Sequence, residues 1–328
     1  MRAMVVSEYS SAHHLSSKQI PRPQPGPGEI CISIKVAGVS FVDGLSIAGQ
    51  YQVRHALPFI PGTELAGVID AMGSNVDGWQ IGDRVCAATP LGAFAEAICV
   101  DALFAKRVPE NVPLVAAACM RVTHATALHA LKQKACLSPG ETVLVLGAGG
   151  GVGFAAVQIA KTLGAQVIAA ASSEERQALA RQGGADWVVN SRNPDLRNEL
   201  NSIVGKRGID VIVDTTGGVN SEMAFRTLAP NGRHLVIGFA SGSVPTLPLN
   251  LPLLKCASLV GVNIGMFERS DPLQAQLNME QLFDWYLEGK LQLPVASTLP
   301  LADAQKAVEL VMSASVAGRV VLGMTGET

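Results

Sequence analysis

The chain has no C-x-x-C pair: its six cysteines, at 31, 86, 99, 119, 136 and 256, are nowhere closer than 13 residues apart. That spacing excludes a zinc cluster of the ribbon type and a dense disulfide framework, and six reduced thiols, most of them packed as small hydrophobes, are expected. An excess of either charge is also missing. With 25 Lys and Arg against 27 Asp and Glu the formal net charge is −2, and there is no basic stripe. Nucleic acid is thereby excluded as a ligand, and electrostatic attachment to a membrane has no support. No run reaches the ~18 apolar residues of a transmembrane helix. The opening MRAMVVSEYS carries one Arg and a short apolar stretch, which does not make a secretory signal. A cytoplasmic protein is expected, without internal repeats or low-complexity segments.

What is present is core. With 328 residues, 48% hydrophobic and 16% charged, the chain can bury a large interior, and its length suggests about two domains. Pro and Gly break up the first 110 or so residues, and the short β-branched or alternating runs between them predict an irregular, barrel-like β domain. From about residue 121 the pattern changes. VLVLG (143–147), QVIAAAS (166–172), DWVVN (186–190), DVIVDT (210–215), RHLVIGF (233–239) and SLVGV (258–262) are apolar runs of strand length, most of them separated by helix-like stretches. Runs without alternation belong to strands covered on both faces, so the fold class is α/β with a doubly wound parallel sheet. A tail follows, with helices over PLQAQLNMEQLFDWYLEGK and ADAQKAVELVMSAS and a strand at GRVVLGM. Too short to stand alone, it is expected to pack back on the first domain.

The stretch PFIPGTELAG (58–67) holds a carboxylate, Glu64, among apolar residues and glycines. A buried carboxylate needs a partner, which could be a metal, a substrate proton or the protein's own backbone.

The strongest local signal is ETVLVLGAGGGVGFAAVQIAKTLGAQVIAAASSEER, a strand, a glycine-rich turn and a helix with Val152, Ala155, Ala156, Ile159, Ala160 and Leu163 at helical spacing. The spacing G-x-G-x-x-G is met by Ala148, Gly150 and Gly153, with Ala in first place. Such a turn lets the backbone approach a pyrophosphate at a helix N-terminus, so a dinucleotide is expected. The next strand ends in Ala170, Ala171, Ser172 and Ser173, with Arg176 just after, where an NAD site usually carries an acid. Two hydroxyls and a guanidinium suit a 2′-phosphate, which favours NADPH. Glu174 and Glu175 count against this unless they point to solvent in the first helical turn.

Together, GVSFVDGLSIAGQY, PFIPGTELAGVI, IGDRV, ATALHALKQKACLSPGETVLVLGAGGGVG and GADWVVN resemble the medium-chain dehydrogenase/reductase superfamily, and within it the zinc-free quinone oxidoreductase branch that includes zeta-crystallin. The resemblance implies a GroES-like β-barrel catalytic domain from 1–121 and 263–328 and a Rossmann NADP-binding domain over 122–262, with a substrate cleft where they meet. It also implies a homodimer paired through the last Rossmann strand, around 258–263.

Zinc-dependent relatives carry Cys where this chain has Ser40 and His where it has Thr63, and their third ligand falls near Val122. Only Glu64 of that set remains, so no metal is expected. The four closely spaced cysteines of the structural zinc have no counterpart. His124 and His129, five apart, do not share the i, i+4 face of a zinc pair, and packing roles are expected for both. Without a Lewis acid the reaction should be one that hydride transfer nearly completes alone, such as reduction of a quinone or another conjugated carbonyl.

By resemblance, Ser40 stands where relatives have Asn, and Thr126 keeps a Thr beside the nicotinamide. Gly150, Gly151 and Val152 fall on the pyrophosphate turn, and Ile237, Gly238 and Asn263 on loops lining the cofactor. Ser172, Ser173 and Arg176 match phosphate-binding positions. Ser191 replaces a Tyr that often stacks there, and an Arg found near Ala314 in some relatives is absent. Tyr51 matches a cleft tyrosine that either donates a proton or hydrogen bond to the developing oxyanion or simply stacks on planar substrates. Asp43 reads as a carboxylate that caps local backbone. Three functions remain: an NADPH:quinone reductase, a reductase of enones or enoyl thioesters, and a non-catalytic, crystallin-like NADPH-binding protein.

Overall fold

A computed structural model describes residues 1–10, 14–313 and 315–324. The chain divides into two compact units, one of Met1–Val122, Ser270–Leu287 and Leu293–Thr328, the other of Thr123–Arg269 and Glu288–Gln292. The second boundary therefore follows the helix Ile264–Ser270 almost to its end rather than preceding it.

In the second unit, six parallel strands follow the spatial order Trp187–Asn190, Gln166–Ala171, Thr142–Leu146, Ile209–Asp214, Leu228–Val236, Ser258–Gly261. Each coincides with one of the six apolar runs. Chain order reverses between the third and fourth of these, which makes the carboxyl ends of Thr142–Leu146 and Ile209–Asp214 the switch point where doubly wound sheets bind ligands. Leu144, Leu146, Ile168 and Ile212 are fully or almost fully buried and pack with Phe225 and Leu228. At about 1.5–3 kcal/mol per buried side chain, this layer outweighs any local propensity. The helix Gly151–Thr162 is buried from Gly153 to Ala160, and Gly164, at φ 86°, closes it in the left-handed conformation glycine favours.

The first unit is built on a seven-stranded sheet whose backbone is the long strand Glu29–Val39. That strand pairs antiparallel with Glu64–Met72 along its length, with Ala97–Asp101 over its first half and with Arg319–Gly323 over its last residues. The tail is thus stitched into the sheet: Val295–Pro300 pairs with Arg319–Gly323, and the helix Ala304–Met312 packs on the helix Phe41–Ile47. Ile30, Ile32, Ile34, Leu65, Ile69, Phe94 and Leu322 form the core. No single helix among the described residues is long and apolar enough to cross a membrane.

Candidate active site

The strand Glu29–Val39 delivers Ser40 to the N-terminus of the helix Phe41–Ile47. Asp43, in the first turn, reaches back: its carboxylate accepts the Ser40 backbone N–H at 2.7 Å and the Ser40 hydroxyl at 2.9 Å. The Ser40 and Thr63 hydroxyls lie 3.3 Å apart. Asp43 is 1% exposed, and that burial pushes its carboxyl up to about 6 against the opposing pull of the Ser40 hydrogen bonds.

Glu64 begins the next strand and is fully buried. Its partner is the Arg319 guanidinium, which donates to one carboxylate oxygen, while the Val122 backbone N–H donates to the other at 3.2 Å. Burial pushes the Glu64 carboxyl up, and Arg319 opposes it; the Arg319 pKa is itself raised by the same pair. Gly38 lies opposite Glu64 in the ladder, and a Cβ there would sit 2.2 Å from the carboxylate. The glycine is what leaves the carboxylate room.

Tyr51 is half-buried in the bend after the same helix, its backbone N–H donating to the Leu45 carbonyl at 3.2 Å. Tyr9 pins this bend. Its hydroxyl donates to the His55 carbonyl, the Arg54 guanidinium lies 4.7 Å from its ring centre, and Gly49 (φ 69°) abuts the ring so closely that a Cβ would fall 2.8 Å from it.

In the second unit the glycine turn leaves the strand Thr142–Leu146. Gly147 at φ 79° makes the tight turn, so this role belongs to Gly147 and not to Ala148. A Cβ on Gly147 would lie 2.5 Å from the Thr215 hydroxyl, and one on Gly153 would lie 2.1 Å from the Gly147 carbonyl oxygen. Gly150 precedes the helix as its N-cap, and Gly151 and Val152 are its first residues, with their N–H groups at the positive end of the helix dipole. Thr126 is buried on the helix Thr123–Leu128, which packs against Gly151–Thr162.

Ser173 caps the helix Glu174–Gln182 by accepting the Arg176 N–H at 3.4 Å. The Arg176 stem crosses the glycine turn: a Cβ on Gly149 would lie 2.4 Å from the Arg176 Cβ. Glu174 and Glu175 are both exposed in the first turn of this helix, and the Glu175 carboxylate is hydrogen-bonded to Ser173. Arg192, exposed and following Ser191 at the end of the strand Trp187–Asn190, is close enough that its charge, after burial, depresses the Arg176 pKa. Ser191 is fixed by donating its N–H to the Ala171 carbonyl at 3.0 Å.

Ile237 and Gly238 are held against the switch point, both N–H groups donating to the Asp214 carbonyl, at 3.0 and 3.4 Å. Asp214 in turn gathers the Ser221 hydroxyl at 2.5 Å, His234 Nε2 at 3.0 Å and the Gly217 N–H at 2.8 Å. Its carboxyl is held below the usual range by these partners in spite of burial. Asn263 follows the neighbouring strand Ser258–Gly261, whose Gly261 is in register with Val236, and its side chain accepts the Met266 N–H at 3.0 Å at the start of the helix Ile264–Ser270. The position near Ala314 is outside the described residues.

The structure thus gathers Gly150, Gly151, Val152, Ser172, Ser173, Arg176, Ser191, Ile237 and Gly238 at the carboxyl edge of one parallel sheet. It joins Ser40, Asp43 and Thr63 in the other unit. The sequence reading passed over Arg192 and Asp214, although each closes a strand-like apolar run, DWVVNSR and DVIVD, at the edge where ligands bind. His124 and His129 are packing residues: His124 Nδ1 is 3.0 Å from the Thr123 hydroxyl, and His129 stacks on Phe267 at 3.9 Å.

Among the described residues no group of three or more His, Cys, Asp or Glu is arranged to hold a metal ion. Ser40 and Thr63 offer hydroxyls, Val122 offers no side-chain donor atom, and Glu64 is taken by Arg319. This set does not fit a catalytic zinc, which takes three N, S or carboxylate ligands.

Residues 26–110 match the alcohol dehydrogenase GroES-like domain, and residues 151–280 match the zinc-binding dehydrogenase family. The chain is 36% identical to the quinone oxidoreductase-like protein 2 of Bos taurus over 93% of its length and 87% of that protein. It is 32% identical to the quinone oxidoreductase of Homo sapiens over 98% of its length and 97% of that protein. This chain belongs to the medium-chain dehydrogenase/reductase superfamily, in its quinone oxidoreductase branch. The quinone oxidoreductase of Escherichia coli, solved in complex with NADPH, superposes with a TM-score of 0.91 at 27% identity, covering 99% of this chain and 100% of that one. The fold class of this chain is α/β, with a parallel Rossmann sheet and a GroES-like domain.

Proposed function

We propose that the protein is an NADPH-dependent, metal-free oxidoreductase that reduces quinones. The observation that carries the cofactor reading is the placement of Arg176 and Arg192 beyond the ends of two adjacent strands, with the Arg176 stem against the glycine turn. Guanidiniums at this edge suit an anion, and the 2′-phosphate of NADPH supplies one. Ser172 and Ser173 add hydroxyl donors. Gly150, Gly151 and Val152 present backbone N–H groups to the pyrophosphate. Gly147 and Gly153 let the turn and the helix pack closely enough to hold those N–H groups in place. In this reading Thr126, Ile237, Gly238 and Asn263 line the cofactor and Ser191 flanks its adenosine end.

The bound cofactor supplies a hydride. Ser40 gives its one hydroxyl proton to Asp43 and keeps its oxygen, held in place, as an acceptor, and Tyr51 sits on a pinned bend, so its phenol can meet a polar acceptor oxygen without first being ordered. Tyr51 donates a hydrogen bond or proton to that oxygen as it gains charge, or else stacks on the acceptor ring. A quinone suits this machinery because its reduced form is stabilised by aromaticity and needs protons more than a Lewis acid. The residues at the former zinc positions, Ser40, Thr63 and Val122, support the metal-free part of the reading. The unit of Met1–Val122 and the chain end takes the catalytic role here, and the Rossmann unit the cofactor.

A homodimer is also part of the proposal. Among the described residues the strand Ser258–Gly261 closes the sheet with one edge unpaired and Leu259 53% exposed, a row of backbone donors and acceptors suited to a second copy. Sedimentation at micromolar concentration should give twice the chain mass.

The test of function is the oxidation of NADPH and of NADH against a panel of quinones, enones and enoyl-CoA esters, with and without a chelator. Turnover of quinones with NADPH, unchanged by the chelator, is the expected result. Turnover of enoyl esters alone would replace the acceptor, a preference for NADH would overturn the arginine reading, and no turnover would leave a binding protein.

A further inference from the structure

Two of the six cysteines that are 68 positions apart in sequence face each other in the sheet. Cys31 on the strand Glu29–Val39 is the register partner of Cys99 on the antiparallel strand Ala97–Asp101. Continued past the strand end, that register brings Ile34 opposite Glu96, and the Ile34 N–H donates to the Glu96 carbonyl at 2.9 Å. Hydrogen-bonded and non-hydrogen-bonded pairs alternate along an antiparallel ladder. At the other end of the ladder the Ala102 N–H donates to the Gly28 carbonyl at 3.0 Å, so the bonds fall at Gly28 and Ile34, in step with every second residue, and Cys31 with Cys99 falls on a non-hydrogen-bonded pair. In such pairs the Cα atoms are about 4.5 Å apart and the side chains are at their closest, within the span of about 4.4–6.8 Å that a disulfide bridges. Their thiols are within hydrogen-bond reach of each other, and Cys31 also donates to the Pro23 carbonyl at 3.8 Å.

The two thiols differ in access. Cys31 is 1% exposed, whereas Cys99 is partly exposed. The Arg22–Asp70 ion pair stands beside both, and its guanidinium favours each thiolate while its carboxylate opposes it.

We propose that Cys31 and Cys99 are an oxidative modification site, a dithiol that a hydroperoxide converts to a reversible cross-strand disulfide. Cys99 is the thiol oxidised first. Its thiolate displaces on the peroxide oxygen, the O–O bond breaks, and the products are Cys99 sulfenic acid and the alcohol or water of the leaving oxygen. The Cys31 sulfur then attacks the sulfenic sulfur, the S–S bond forms, and hydroxide leaves with the Cys31 proton as water. Overall two thiols lose two electrons and two protons, and one hydroperoxide becomes one alcohol and one water.

Burial raises both thiol pKa values, that of Cys31 up to about 12, so thiolate is scarce near neutral pH and the reaction accelerates with alkalinity. Opposed Cβ atoms in such a pair start about 4.5–5.5 Å apart, wider than the 3.5–4.5 Å or so of a relaxed bridge. The strands must close slightly, and the strain makes the bridge easy to reduce again. The segment it encloses carries Ser40, Tyr51, Thr63 and Glu64.

The experiment replaces the two exposed cysteines, Cys136 and Cys256, by Ser and treats the protein with hydrogen peroxide at pH 8.5. Free thiols are then blocked under denaturing conditions and a non-reducing digest is weighed. One linked peptide pair, Cys31 with Cys99, 2 Da below the sum of its thiols and released by dithiothreitol, is expected. Adding Cys31→Ser should leave Cys99 as a sulfenic acid that dimedone captures; adding Cys99→Ser should leave Cys31 reduced. The inference is overturned by Cys99 that oxidises without ever linking to Cys31, or by dimedone found on Cys31.

Discussion

Arg319 donates to the carboxylate of Glu64 across 255 residues of chain, in a pair where the carboxylate has no exposure at all. The contact joins the last described strand to the first half of the sheet, and it answers what the isolated acid in PFIPGTELAG is for: a cation and the Val122 N–H hold it inside the protein. A buried pair broken on one side leaves a charge without compensation, at a cost of about 3–5 kcal/mol. Arg319→Met should lower stability by that order in urea unfolding, and Arg319→Met combined with Glu64→Gln should recover much of it. A single variant no less stable than the double one would show that the ion pair contributes nothing beyond packing.

Asp43 gives a pH dependence of definite sign. Burial raises its carboxyl from 3.8 in a free chain to about 6 in the fold. Between those values the folded state holds a proton that the unfolded state has released, so stability falls as pH rises through this window, by on the order of 3 kcal/mol, and is flat on either side. Asp43→Asn should remove this share of the fall between pH 4 and 6 and leave the share of Glu64, whose carboxyl burial also raises. The same variant removes the charged acceptor of the Ser40 N–H and hydroxyl, so turnover should fall with Ser40 less well held. Unfolding free energies across this pH range, set beside wild type, are the measurement.

The six Rossmann strands were legible because each is apolar without alternation, a pattern that only burial on both faces maintains. The helices of the tail were legible by period. What no period could show is pairing: that Glu29–Val39 takes three neighbours, that Cys31 meets Cys99, or that Arg319 reaches Glu64, since each depends on register set far away in sequence. The glycine turn was readable by spacing, yet the tight-turn position moved to Gly147 because a positive φ is a property of the backbone path and not of the motif. Arg192 was missed for a related reason. It follows its own strand, and only the sheet brings it beside Arg176.

That neighbourhood makes a quantitative prediction. A charge-assisted hydrogen bond to a phosphate is worth about 1.5–3 kcal/mol, so Arg176→Ala should raise the KM for NADPH roughly 10- to 100-fold. Arg192→Ala, at an exposed position, should act in the same direction but less, because solvent and salt screen it. Neither should change the KM for NADH by more than about twofold, since that cofactor has no 2′-phosphate. Initial rates with both cofactors at two salt concentrations separate these cases, and equal losses for NADH and NADPH would place Arg176 outside the phosphate site.

Gly153 offers the sharpest steric test of the cofactor turn. A Cβ there would approach the Gly147 carbonyl oxygen to 2.1 Å, with the Ala148 Cα at 2.9 Å, and both obstacles are backbone that cannot rotate away. Gly153→Ala must therefore push the helix Gly151–Thr162 off the strand Thr142–Leu146, carrying with it the N–H groups of Gly151 and Val152. Overpacking of this kind costs about 1–3 kcal/mol, which lowers the melting temperature by a few degrees in a domain of this size. The effect on NADPH should be larger, because a pyrophosphate needs all its backbone donors at hydrogen-bond distance at once. By contrast Gly140→Ala, at a turn with no atom within 4 Å of the added Cβ but with φ 82°, should cost stability through backbone strain alone and leave cofactor binding as it was. Fluorescence titration with NADPH on both variants is the check: a loss of affinity confined to Gly153→Ala is expected, and equal affinities would separate the turn from the cofactor.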